Sequence, residues 1–459
     1  MRNSKVDMLH GPLFRNIVAF AIPVILGGWM QLFFHAADVV VIGQFCGSAS
    51  VGAMGATGAI SNLIINMFMG LSAGVTVTVA NAAGSGDNNM IQKAVHTAVL
   101  TAIIGGLCVA AIGVPLAPTL LRWMDTPASV IGKSTLYMRI ILGGNVCSLL
   151  YNFGAAVMRA TGDSRRPLFF VTISGLLNVL LNLFFVLVLK LDVAGVALAT
   201  VIANGTSAFM VLRSLSKRTD ASRLFLSKLA IHKESFKKIL RIGIPSGIQA
   251  SMFAISNVII QSSINSFGEA MMSANTAGGN INGFMANAVT GFGTAAINFV
   301  GQNMGAKKYH RVRRVIWTCF RISAVLGLVL GTVTYIFGRP LLSIYITDSP
   351  EAIAYGFIRM KYMSIPYAFY AIYDAFSASL RGLGKSGLAM TMSLCGTCAV
   401  RVLWIYTVFA AWRTPDAIYL SYPISWCLTA IGMCTCVLLC LRKLPKEDMD
   451  TQPLQAQNA

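Results

Sequence analysis

Asp38 and Asp374 are the acidic residues that fall inside the long apolar segments of this chain, one in each half of it. A carboxylate at membrane depth costs on the order of 3 kcal/mol or more unless it faces a cavity, meets a partner or takes up a proton. Both acids are therefore functional candidates, and the chemistry they suit is ion-coupled transport. Gln31, His35 and Asp38 follow one another at i, i+4 and i+7, so they share one helical face. A carboxylate held between apolar burial and nearby donors can take up and release a proton. The plainer alternative is an Asp satisfied by His35 or by hydroxyls for structure alone.

Further along, Asn178 and Asn182 stand one turn apart, and Thr200 lies on the next segment. These neutral oxygens could complete a cation shell or accept a hydrogen bond from a protonated Asp38; interhelical hydrogen bonding accounts for them equally well. Asp374 follows Tyr373 and sits amid Phe369, Tyr370 and Phe376. A carboxylate beside aromatic faces suits an organic cation. The rival reading is a buried pair in which Arg401 neutralises Asp374. Arg401 and Arg321 are the basic residues well inside the apolar segments. Pro23, about four turns before Asp38, interrupts the helical hydrogen-bond ladder and gives a bending point or a static kink.

The elements that position these residues must be membrane helices. The chain has 459 residues, 56% hydrophobic and only 11% charged, far below the charge content of a soluble domain. Twelve apolar stretches follow one another at about 13–44, 51–80, 91–116, 134–157, 167–190, 192–213, 237–266, 271–302, 314–337, 353–380, 387–411 and 417–441. In lipid the backbone of such spans must satisfy its own hydrogen bonds, which makes them helices. The first run is too long for the apolar core of a cleavable signal peptide.

The net charge of +20 is placed by topology. Most Lys and Arg fall in the termini and the even-to-odd loops, including Arg165, Arg166 and the run from Arg213 to Arg241. That asymmetry predicts cytoplasmic termini, a multi-pass protein of the cell inner (plasma) membrane, and contact with anionic membrane lipids, not nucleic acid. Ten cysteines are scattered singly apart from Cys395 and Cys398, and they read as packing residues with no metal or cofactor site.

The chain also repeats itself. Ala21-Ile22-Pro23 returns as Gly243-Ile244-Pro245, and Arg159 to Ser164 returns as Arg381 to Ser386, both at an offset of about 222 residues. Ala83-Gly84 returns as Met304-Gly305 at nearly the same offset. The expected organisation is a six-helix lobe over 1–213, a basic cytoplasmic linker over 214–236, a second six-helix lobe over 237–441 and a cytoplasmic tail over 442–459. Because six is even, both copies enter from the same side, and a substrate cleft between two such bundles is the arrangement of alternating access.

Several strings carry a resemblance: Gly70-Leu71-Ser72-Ala73-Gly74 leading to Gly84-Ser85-Gly86-Asp87, Gly301 to Ala306 before a basic run, Ala155 to Asp163 with its counterpart Ser379 to Lys385, and Ala37-Asp38 before Gly43. They recur in order through both halves and resemble the multidrug and toxic compound extrusion (MATE) transporters. The resemblance implies an all-α, V-shaped membrane protein of twelve helices in two pseudo-symmetric bundles. It implies export of amphipathic, usually cationic compounds in exchange for protons or sodium ions; a monomer is expected to be enough, because the cavity lies between the lobes of one chain. On it Asp38 is the first-helix carboxylate, Gln31, Asn178 and Thr200 are its partners in the cation site, Pro23 is the bending point, and Asp374 is the acid of span 10. The chain departs from the family pattern at Asn182, where many relatives have Asp, and in span 7, which lacks a Glu; fewer charged oxygens favour protons over sodium.

Other classes fit less well. Tyr373-Asp374 and Gly84-Ser85-Gly86-Asp87 resemble intramembrane aspartyl protease motifs, but in inverted order and with the second in a loop. No enzyme activity is expected. A lipid-linked precursor flippase of the same superfamily is the nearer alternative.

Overall fold

The computed structural model describes residues 5–446 except 348, together with 448, so most of the expected tail over 442–459 lies outside the described residues. The helices are α1 (Leu13–Phe45), α2 (Ser48–Ser85), α3 (Asn88–Trp123), α4 (Ala128–Gly143), α5 (Asn145–Ala160), α6 (Arg165–Leu183), α7 (Asp192–Ser216) and α8 (Lys233–Asn265). They continue as α9 (Glu269–Gly305), α10 (Tyr309–Ile336), α11 (Gly338–Ser343), α12 (Pro350–Ser364), α13 (Tyr367–Gly382), α14 (Ser386–Ser393), α15 (Val400–Trp404) and α16 (Pro415–Arg442). Each expected span coincides with a helical segment, and no strand occurs among the described residues. Nine helices there are long and apolar enough to cross a membrane, ten with α4 and α5 counted as one span bent by 43°. The expected spans that fall short of that apolarity are α9 and the pair α12–α13. In α9 the segment from Ala295 to Asn303 is buried, so its polar residues are covered by protein instead of lipid.

The duplication reaches the backbone. The break between α4 and α5 falls at Gly144, and the break between α12 and α13 includes Pro366 at the equivalent position. A glycine in one copy and a proline in the other interrupt the same span. Widened π-turns recur likewise, at Phe184–Val188 and Ile405–Phe409.

The described chain packs as two compact units. The first comprises 22–79 and 88–247 with the start of the chain; the second comprises 7–21, 80–87 and the remainder from Ile248. Within the second unit, the end of α2 crosses the end of α9 at backbone distance. A Cβ on Gly84 would stand 1.9 Å from the Gln302 carbonyl oxygen, and one on Gly305 would stand 2.0 Å from that of Asn81. The two contacts exchange under the repeat, so the glycine strings are explained by a symmetric helix crossing that admits no side chain.

Within the first unit, the stretch after α7 is strapped to the helix ends. Asp163 is fully buried and accepts from the Arg166 backbone N–H at 3.2 Å. Its carboxylate also meets Arg166 Nε at 3.3 Å and Arg218 Nη2 at 3.8 Å. Arg218 Nη1 donates to Thr161 Oγ1 at 2.7 Å and to Ser222 Oγ at 2.6 Å. Gly162 has φ of 91°, and its carbonyl accepts from Val6 N at 2.9 Å. His96 Nε2 accepts from the Phe225 N–H at 3.1 Å while the two rings stack. The second copy places Lys385 where the first has Asp163, and no corresponding stretch follows its last helix among the described residues.

Asp220 joins this strap by bonds to Lys5 and Ser222. Burial raises its carboxyl, but those hydrogen bonds, with the charges of Lys5 and Arg218, outweigh burial and hold it at about 2, below the ordinary 3.8. A lowered folded-state value contributes stability that is complete above the unfolded value and is lost as pH falls through the folded one. The melting temperature of the protein in detergent is therefore expected to fall between about pH 4 and pH 2 partly through this group. Asp220→Asn should remove that part of the slope, and an unchanged slope would count against the strap.

Candidate functional site

In the first unit α1 carries Asp38 into a buried polar array built by α6 and α7. Asp38 is 8% exposed, and Asn182 Nδ2 donates to its Oδ1 at 2.5 Å. The same amide donates to Asn178 Oδ1 at 3.3 Å, and Asn178 Nδ2 donates to Thr200 Oγ1 at 3.3 Å. Thr200 in turn donates to the Val196 carbonyl at 2.9 Å, one turn back. One unbroken chain of hydrogen bonds thus runs from α7 through α6 to the carboxylate on α1. The i to i+4 spacing of Asn178 and Asn182 makes this possible, because both amides leave the same face of α6. Asn182 Oδ1 is buried with no hydrogen-bond partner, an acceptor left over in the middle of the array.

Asp38 opens onto a cavity of about 230 Å³ whose walls include His35, Thr57, Tyr137, Asn145 and Thr200. His35 is exposed and lines the same space. Gln31 is exposed and is not part of that lining. Pro23 is buried and lies inside a continuous α1. Tyr137 on α4 faces the cavity and lies within electrostatic reach of Asp38. As a lone tyrosine in an apolar run, it gives no periodic signal in the sequence.

The second acid has different surroundings. Asp374 on α13 is half-buried, and its Oδ2 lies against Gly293 of α9, where a Cβ would stand 2.6 Å away. Tyr373 and Tyr370 pack into an aromatic group with Tyr367 and Trp426. Phe376 turns away to stack on Phe320 of α10 at 5.2 Å.

Arg401 forms no ion pair with Asp374. Its Nε donates to Ser425 at 2.9 Å, and its guanidinium lies 4.2 Å from the centre of the Tyr422 ring and 5.8 Å from that of Trp426. Depth explains the separation. Asp374 lies about 12 Å before the Gly382 end of α13, while Arg401 lies about 22 Å beyond Ser386, across a short turn. The cation within electrostatic reach of Asp374 is Arg381, two turns along the same helix. Sequence reading also passed over Arg359. It is buried at 7% exposure on α12, but it lies near the predicted start of its span and beside Lys361, where a charge looks interfacial.

The array is chemically a single titratable oxygen pair held by neutral amides that can donate or accept, next to a cavity of about 230 Å³. Asn182→Ala would leave Asp38 and Asn178 short of a buried donor, a loss of about 2 kcal/mol. Gln31→Ala should change stability by less than about 0.5 kcal/mol. Thermal unfolding of the two variants in detergent checks the contrast, and similar losses would contradict it.

Comparison with known proteins gives one family model, MatE, which matches residues 23–184 and again 245–407. The two matches begin at Pro23 and Pro245, in register with the internal repeat. The Bacillus subtilis protein named Probable multidrug resistance protein YpnP is 26% identical over 422 residues, covering 92% of this chain and 94% of its own length. Probable multidrug resistance protein YoeA, from the same organism, is 24% identical over 422 residues, covering 89% and 87%. Among solved structures, an outward-facing conformation of a multidrug resistance MATE family transporter of the MOP superfamily superposes with a TM-score of 0.90 at 20% identity. That superposition covers 97% of this chain and 100% of the other.

Proposed function

This chain belongs to the MatE family of multi-pass membrane transporters and is not an enzyme, and from that premise we propose that it is a secondary active antiporter exporting amphipathic drugs or metabolites in exchange for protons. The observation that carries the reading is the buried Asp38 at the end of the Asn182–Asn178–Thr200 hydrogen-bond chain, opening on a cavity. Ionised, Asp38 accepts from the Asn182 amide. Protonated, its O–H needs an acceptor, and the unpartnered Asn182 Oδ1 supplies one if the amide turns over. Turning Asn182 over in turn changes what Asn178 must do, and through Asn178 and Thr200 the change reaches α7. Proton uptake at one oxygen is thereby converted into a rearrangement of three helices.

Sodium is the other coupling candidate. It would take its oxygens from Asp38, Asn178, Asn182 and Thr200, but with one formal charge in the shell the site suits a hard cation less than a proton. Drug export is supported by the names of the relatives, and a natural metabolite fits the same chemistry. A cationic group on the cargo would be met by Asp374, whose carboxylate has no ion-pair partner among the described residues. The basic cytoplasmic-side loops support insertion in the cell inner membrane with both termini in the cytoplasm.

Ethidium efflux from proteoliposomes, driven by a proton gradient and separately by a sodium gradient, tests the reading. Proton-driven efflux is expected, with Asp38→Asn at least tenfold slower although folded. Efflux that survives in that variant would move coupling away from Asp38. No efflux under either gradient would overturn the antiporter reading and bring the lipid-linked precursor flippase forward.

A further inference from the structure

The second unit buries two arginines that no carboxylate answers. Arg359 on α12 is 7% exposed and Arg401 on α15 is 4% exposed, and neither forms an ion pair among the described residues. Arg359 makes no hydrogen bond there, and its Nε is buried without a partner. Its guanidinium lies over the Gly278-Gly279 backbone of α9, with Nη1 2.4 Å from where a Gly278 Cβ would be. That pair of glycines therefore makes room for the charge. Among the described residues Arg401 uses only Nε, on Ser425, and its two terminal nitrogens meet no protein acceptor.

Three observations set the two cations around the same aromatic helix, α16. Both lie within electrostatic reach of the Tyr422 phenol, and Arg401 sits over its ring. Their helices pack on α16, which carries Tyr419, Tyr422 and Trp426. Along their helices, Arg359 lies about 14 Å from Pro350, Arg401 about 12 Å from Phe409 and Tyr422 about 10 Å from Pro415, ends that share one side of the membrane. Two guanidiniums at one depth in an apolar medium repel each other and carry a large desolvation penalty. Cation–π contact offsets part of this for Arg401, whereas no hydrogen bond or ion pair among the described residues does so for Arg359. What the pair lacks is an oxyanion, which a planar guanidinium fork engages through two parallel hydrogen bonds.

We infer that Arg359 and Arg401 form an anion-recognition site, so that the cargo of this transporter includes amphiphiles bearing a carboxylate or phosphate, with the Tyr422 and Trp426 rings against the apolar part. The inference rests on the transport reading above and refines its cargo. With Asp374 deeper in the same unit, a molecule carrying both an acidic and an ammonium group would find a partner for each.

The test is a binding measurement that needs no transport. The full-length protein in phosphatidylcholine nanodiscs is titrated with N-dansylglycine and with its methyl ester, which differ by the one negative charge. The acid should bind at least tenfold more tightly than the ester. Arg359→Gln and Arg401→Gln should each lose most of that preference, and Arg401→Lys should keep part of it. Equal binding of acid and ester by the unaltered protein would overturn the inference, whatever the variants do. A repeat in discs containing phosphatidylglycerol separates the sources of the anion. Competition by the lipid assigns the site to a headgroup, and undiminished probe binding assigns it to soluble cargo. If binding shows the preference while proteoliposomes show no efflux, the site stands and the antiporter reading falls.

Discussion

Inside a bilayer there is no water to answer a polar group, so every charge and every backbone break at membrane depth must be met by the protein itself or by what it carries. That single constraint organises this molecule. Asp38 is tolerated because Asn182 donates to it, Asn182 because Asn178 shares its amide, and Asn178 because Thr200 accepts from it. The places where the protein leaves a group unanswered then become informative. Among the described residues Asn182 Oδ1, the Asp374 carboxylate, the Arg359 head and the terminal nitrogens of Arg401 are such places, and each has a ligand chemistry that would complete it.

Duplication supplies the scaffold on which that chemistry diverged. The copies keep backbone interruptions in register at Gly144 and Pro366 and at the π-turns Phe184–Val188 and Ile405–Phe409, while the π-turn at Leu394–Ala399 belongs to the second copy alone among the described residues. They keep the glycine crossing of α2 with α9, where each copy supplies the glycine the other needs. What they do not keep is the charge. The first copy has an acid on its opening helix, a buried Asp163 tying the strap in place and neutral amides around Asp38. The second has on its opening helix Gln249, which donates to Ser393 of α14, Lys385 in place of Asp163, and two buried arginines. Helix geometry is fixed by hydrogen bonds and close packing that tolerate little change, whereas the charge on an inward side chain is free to vary with the cargo.

The spans, the repeat and the Asp38 array were legible in the sequence because each rests on short-range rules: run length, constant offset and helical spacing. The i to i+4 pair of Asn178 and Asn182 needed only its own helix to be recognised. Pairings across helices were not legible in the same way. Nothing in the sequence gives the depth at which Arg401 meets its neighbours, so a pair with Asp374 fits the sequence as well as the Ser425, Tyr422 and Trp426 that surround it in the structure. Phe376 sits two residues from Asp374 in the sequence yet points to α10, because successive residues on a helix face different ways. Arg359 was hidden by its place near a span boundary.

The central claim is that Asp38 gains and loses the coupling proton within its amide array. Infrared difference spectroscopy across a pH jump on the full-length protein reads this directly, since a carboxyl that takes up a proton gains a C=O stretch distinct from that of a carboxylate. The account predicts a protonated-carboxyl band that vanishes in Asp38→Asn, persists in Asp374→Asn and shifts in Asn182→Ala. A band that remains in Asp38→Asn and disappears in Asp374→Asn would contradict it.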